Sequence, residues 1–195
     1  MSPGPSATDR RAPEMKKPVR LAAYSLTFAI GLWGGNLLLQ KLTDTATLGQ
    51  ESTEAMLNQP APDFSLPDID GNIRHSGEWA GRVQVINFWA TWCPPCRSET
   101  PMFVDMQEKY GAAGLQFVGI AIDDSDKVQD FMDTYGITYP MLIGDDDAID
   151  VAKQYGNRFG ALPYTVIIDR KGLIQHIQRG ELKQESAEKI FHKLL

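Results

Sequence analysis

Cys93 and Cys96 are the only cysteines in 195 residues, and they stand three positions apart in the stretch FWATWCPPCRSETP, residues 88–101. A pair spaced this way is open to few chemistries. As a structural crosslink it would close a four-residue loop, stabilising by roughly 2 kcal/mol against about 4.7 for a hundred-residue loop. A structural zinc ion takes four ligands, but there is no second cysteine pair, and His75, His176 and His192 are scattered along the chain. Covalent haem would need histidine directly after the second cysteine, where Arg97 stands. A peroxidase would place threonine three residues before its cysteine, where Ala90 stands. The chemistry that survives is reversible dithiol–disulfide exchange, in which a thiolate attacks a substrate disulfide and its neighbour resolves the mixed disulfide.

The elements that must position the pair follow from hydrophobic period and punctuation. Residues 83–90, VQVINFWA, are mostly apolar and rich in β-branched side chains, which predicts a buried central strand ending just before the cysteines. From Cys93 the period turns helical and runs to Tyr110, with Gly111 as a stop signal. Upstream, short extended runs flank Asp70-Gly71 and predict a hairpin. Downstream come a buried strand over 115–122, a helix over 127–135, a short strand over 139–143 and a helix over 148–155. Strands over 164–168 and 173–178 meet at Lys171-Gly172, and an amphipathic helix over 183–195 closes the chain. Strands alternating with helices predict an α/β sandwich around a mixed sheet.

In such a sheet, ligands and chemistry collect beyond the carboxyl end of a central strand. The cysteines fall there, and at a helix start, where unpaired N–H groups and the helix dipole favour a thiolate at Cys93. Cys93, Cys96 and Glu99 step along one side of that helix. If buried, the Glu99 carboxylate would disfavour an adjacent thiolate and could relay its proton; if solvated, it is a surface residue. Arg97 and Ser98 read as surface, Met102 and Met106 as core. Trp89 and Trp92 read as packing and substrate-surface aromatics.

Charge divides the chain. Residues 1–20 hold five basic and two acidic side chains, whereas from residue 57 onward there are thirteen basic and twenty acidic. An acidic globular part with no arginine-rich stripe excludes a nucleic-acid partner. Between the two lie nineteen uncharged residues, 21–39, LAAYSLTFAIGLWGGNLLL. As a helix they would span roughly 28 Å, close to a bilayer's hydrocarbon thickness. A core helix would be amphipathic, and a cleaved signal peptide would carry a shorter apolar region and a small-residue cleavage site. The reading is a basic cytoplasmic leader (1–20), a transmembrane signal anchor (21–39), a solvated tether (40–57) and a domain (58–195) on the far side of the membrane. The absence of any spare thiol suits an oxidising compartment.

The motif FWATWCPPC, Pro101 eight residues after Cys93, and LPYTVIID at 162–169 together resemble the thioredoxin-like superfamily. The N-terminal hairpin, an extra strand and helix over 139–155, and the apolar anchor are similar to its TlpA/ResA-like branch of membrane-anchored thiol–disulfide oxidoreductases. Over about residues 58–195 the resemblance implies a thioredoxin fold with Cys93 as nucleophile, Cys96 as resolving cysteine and a cis bond before Pro163. It implies a substrate surface formed by Trp92, Pro94, Pro95, Leu162 and Pro163, with Leu162 offering its backbone to an extended strand. Thioredoxin's aspartate six residues before the nucleophile is here Asn87, which cannot titrate, while Glu99 matches a glutamate of the ResA-like branch. The resemblance further implies no cofactor beyond a redox-active Cys93–Cys96 disulfide. The implied partners are disulfide-bearing extracytoplasmic proteins, as in cytochrome c maturation, and a membrane thiol-reductant donor at a bacterial cytoplasmic membrane. A rival from another class is a tethered copper(I) carrier using Cys93, Cys96 and a histidine or methionine as soft ligands.

Overall fold

The computed structural model describes residues 54–195. Its strands are β1 (Ser65–Pro67), β2 (Ile73–His75), β3 (Val83–Trp89), β4 (Leu115–Ala121), β5 (Met141–Ile143), β6 (Tyr164–Ile168) and β7 (Ile174–Arg179). The helices are α1 (Pro94–Tyr110), α2 (Ser125–Tyr135), α3 (Asp146–Gln154) and α4 (Gln184–Leu194). Leader, anchor and most of the tether lie outside the described residues. Among those described, no helix is long and apolar enough to cross a membrane.

Every residue of β3 and β4 is buried, and strands covered on both faces belong inside a sheet. The sheet order is β5-β4-β3-β6-β7, with β3, β4 and β5 parallel and β6 antiparallel to both β3 and β7. This is the mixed sheet that the alternating pattern predicts, in the arrangement of a thioredoxin fold. The two faces carry separate cores because side chains alternate along each strand. Val83, Val85 and Trp89 of β3 join Phe103 and Met106 of α1, Phe131 of α2 and Phe191 of α4 on one face. Ile86 and Phe88 join Val151 of α3, Tyr155, and the Phe64, Leu66 and Trp79 side chains around the β1–β2 hairpin on the other.

Local chemistry sets the element ends. In the hairpin, Asp68 Oδ1 accepts the N–H groups of Asp70 and Asn72, closing the turn at Asp70-Gly71. α2 stops where Gly136 takes φ 66°, a left-handed cap that glycine adopts without a Cβ clash. β5 begins at Met141 rather than Tyr139, because Pro140 has no N–H for the ladder, although its carbonyl accepts Gly119 N–H at 2.9 Å. α2 and α3 each start two residues ahead of their apolar period, at Ser125 and Asp146, since the first turn of each is polar and solvated. The globular part reaches back to Met56 and Leu57, which pack on the hairpin-side core.

Phe88 is fully buried at the centre of the sheet, with its ring 5.9 Å from Tyr155 and 6.2 Å from Tyr164. Phe88→Ala is expected to lower stability by about 3–5 kcal/mol, read as a shift of the urea midpoint at unchanged slope.

Candidate active site

β3 ends at Trp89, and the chain needs only four more residues to reach α1. Two contacts fix this connection. Ile122 N–H donates to Trp89 O at 2.9 Å, and Asp123 Oδ2 accepts both Thr91 N–H, at 3.1 Å, and the Thr91 hydroxyl. Burial works against the charge on Asp123, but these bonds and the Asp124 N–H outweigh it and hold its carboxyl below the usual range. The Trp89 indole donates to Met141 Sδ at 3.1 Å and lies 4.7 Å from the Phe131 ring. Trp89 is therefore the packing aromatic, while Trp92 stands 64% exposed beside the cysteines.

Cys93 and Cys96 are joined as a disulfide. Cys93 is the N-cap of α1 and extended, and its Sγ accepts the Cys96 N–H at 3.3 Å. Pro94 and Pro95 occupy the first two helical positions. Proline suits those positions because their N–H groups would lack partners anyway. The consequence is chemical: of the first three helical residues, Cys96 alone has an amide to give, and it gives it to Cys93. The pair is more covered than an exposed thiolate would be, with Cys93 4% and Cys96 1% accessible, because both pack into the core beneath α1. The small opening lies at Cys93.

Glu99, one helical turn beyond Cys96, is buried at 2% exposure. Its Oε1 accepts from Asn87 Nδ2 at 2.9 Å, and its Oε2 accepts the Leu182 N–H at 2.8 Å. Asn87 donates also to Thr165 Oγ1 at 3.0 Å. Burial pushes the Glu99 carboxyl up to about 7, and the bonds from Leu182 and Asn87 offset only part of that cost. Asn87, inert in titration, thus aims the carboxylate. Sequence reasoning missed Asn87 as a partner, together with Thr165, Leu182 and Asp123. Asp123 alone left a trace, as a carboxylate directly after an apolar strand on the chemical edge of the sheet.

The peptide bond between Leu162 and Pro163 is cis, and β6 follows at once. Because Phe88 pairs with Tyr164, this bend lies at the same end of the sheet as the disulfide. Leu162 packs on the core cluster that holds both cysteines. Pro94 is exposed, Pro95 and Leu162 are half-buried, and Pro163 is buried. The fold thus gathers every residue of the expected site at one end. The histidines lie elsewhere: His75 bonds Ser65 in the hairpin, His176 is on β7, and His192 packs against Tyr110. Among the described residues no group of three or more His, Cys, Asp or Glu side chains converges as a metal site.

Comparison with known proteins adds the lineage. The profile of the AhpC/TSA family matches residues 57–177. The chain belongs to that family. It is 33% identical over 172 residues to the thioredoxin-like protein YneN of Bacillus subtilis, covering 86% of this chain and 94% of that one. It is 31% identical over 174 residues to the thiol-disulfide oxidoreductase ResA of Geobacillus thermodenitrificans, covering 88% and 94%. Among solved structures, a thiol:disulfide interchange protein of Chlorobium tepidum superposes with a TM-score of 0.63 at 34% identity, over 69% of this chain and 94% of that one. With its CxxC disulfide, this member of the family is a thiol–disulfide oxidoreductase.

Glu99 makes stability depend on pH. Its folded pKa, about 7, lies above the unfolded value of 4.5, so the native state binds the extra proton between them and stability falls as pH rises through that window. Glu99→Gln is expected to remove this loss, gaining on wild type by on the order of 3 kcal/mol between the acid and alkaline sides of the window. Urea unfolding of the oxidised proteins across the window measures it, and parallel wild-type and variant curves would refute the shift.

Proposed function

We propose that this enzyme reduces disulfides of partner polypeptides outside the cytoplasm, with Cys93 as attacking thiolate and Cys96 as resolving thiol. The observation that carries the assignment is the helix N-cap: Cys93 Sγ receives the Cys96 N–H, while Cys96 lies deeper in the core. In the reduced protein the Cys93 thiolate attacks a substrate sulfur and expels the first substrate thiolate. Cys96 then gives its proton to the Glu99 carboxylate and attacks Cys93 Sγ. This closes the Cys93–Cys96 disulfide and releases the second substrate thiolate. A carboxyl poised near neutrality suits that proton traffic in both directions.

The reducing direction has its own physical support. Pro94 and Pro95 supply no amide to a thiolate, and a buried carboxylate lies one turn away. Both features make the thiolate less stable, and a dithiol whose thiolate is poorly stabilised is the stronger reductant. Trp92, Pro94, Pro95, Leu162 and Pro163 form the substrate surface. Neither the N–H nor the C=O of Leu162 is hydrogen-bonded among the described residues, leaving both for an extended substrate. The apolar run 21–39 with its basic flank supports an anchor in a bacterial cytoplasmic membrane, with the domain outside and a membrane thiol donor returning electrons to Cys93–Cys96. Cytochrome c maturation, where haem-bearing cysteines must be kept reduced, is a setting that needs such a reductase.

Cys93→Ser is expected to abolish reduction of a protein disulfide, and Cys96→Ser to stall as a mixed disulfide recoverable on non-reducing gels. Faster alkylation of Cys96 than of Cys93 in the reduced protein would reverse the roles. A reporter fused after Leu195 is expected to be active only when exported; activity in the cytoplasm would sink the proposed topology.

A further inference from the structure

Among the described residues, three large apolar side chains are strongly exposed: Ile73 at 57%, Trp92 at 64% and Phe159 at 65%. Ile73 lies on the β1–β2 hairpin. The other two flank the chemistry. Trp92 adjoins Cys93, and Phe159 lies three residues before Leu162, in the loop that leads into β6. Phe88 of β3 pairs with Tyr164 of β6, so both loops leave the sheet at one end.

The loop around Phe159 is built rather than slack. Asn157 is 3% exposed, and its side chain pairs with both backbone groups of Ala161, donating from Nδ2 to the carbonyl at 2.8 Å and accepting the N–H on Oδ1 at 2.9 Å. Gly156 and Gly160 take φ 91° and 63°, so the chain reverses on either side without strain. A buried amide thus closes a five-residue loop whose tip, Arg158-Phe159-Gly160, points an aromatic ring at solvent. Among the described residues that ring belongs to neither core cluster.

We infer that Phe159 is a specificity residue: with Trp92 it forms an apolar lip that grips a side chain of the substrate polypeptide within two positions of the reacting cysteine. The occupant is an extended segment of a disulfide-bearing polypeptide, since Leu162, three residues after Phe159, has its backbone groups unpaired, and Trp92 adjoins Cys93 at the same end of the sheet. The side chain it selects is apolar or aromatic, because the two rings bring area and no charge. The inference rests on the proposed polypeptide-reductase reading and names its preference.

The test uses two peptides with an internal disulfide, one with leucine and one with serine beside the attacked cysteine, and hydroxyethyl disulfide as a substrate without side chains. Wild type is expected to prefer the leucine peptide by roughly tenfold in kcat/KM. Phe159→Ser is expected to erase most of that preference through KM, with kcat and the melting temperature held, and Phe159→Leu to restore much of it. If wild type reduces both peptides but Phe159→Ser leaves their ratio unchanged, the lip plays no part in selection and the inference falls alone. If the variant slows hydroxyethyl disulfide as much as the leucine peptide, Phe159 acts on the dithiol and the inference again falls. A wild-type protein inert on both peptides would overturn the polypeptide reading together with it.

Discussion

A strand buried on both faces has only its ends for chemistry, and that constraint organises this enzyme. Every residue of β3 is buried, its backbone is paired on both sides, and its apolar side chains divide between two cores. The chain becomes accessible only after Trp89, where it must turn into α1. The reacting sulfurs occupy that turn because it is the first place where a side chain meets both a helix N-terminus and the surface. The contacts of Ile122, Asp123 and Met141 tie this end of β3 and the turn after it to β4 and β5.

Hydrogen bonds explain why a buried carboxylate is tolerated at Glu99. Donors reach it from two places far apart in sequence: Asn87 on β3, which donates also to Thr165 on β6, and the Leu182 amide ahead of α4. A carboxylate with fewer donors in that core would stay protonated well beyond neutrality, and one fully solvated would never hold its proton there. The partial compensation leaves it near 7, where a group can both take and return a proton. Hydrogen bonding and burial thus act on one side chain in opposite directions, and the balance falls near neutrality.

Exposed apolar groups stand near the buried dithiol. Cys93 shows little of itself, yet Trp92 and Phe159 are exposed beyond any need of folding. In the proposed reading a substrate meets aromatic rings and unpaired backbone before it meets sulfur. Binding energy gathered on those groups can hold the target cysteine in line with Cys93, which is how positioning lowers the barrier of exchange.

The sequence by itself determined the chemistry and the order of elements. Two thiols at CxxC spacing, an apolar run before them and a helical period after them leave little else, since period and spacing are local properties of the chain. The hairpin at Asp70-Gly71 and the strand over 164–168 were legible for the same reason. Helix starts were less so: Ser125 and Asp146 open helices with polar turns that carry no apolar period. What only tertiary structure decided are the meetings between distant residues. Nothing local to Glu99 reveals that Asn87 and Leu182 hold it, or that it is buried at all. Nothing local to Thr91 reveals that it leans on Asp123, and nothing in YGNRFGALP reveals that Asn157 turns inward while Phe159 turns out. Such contacts depend on how strands pair and which face each side chain takes, and those are properties of the folded whole rather than of any window of the chain.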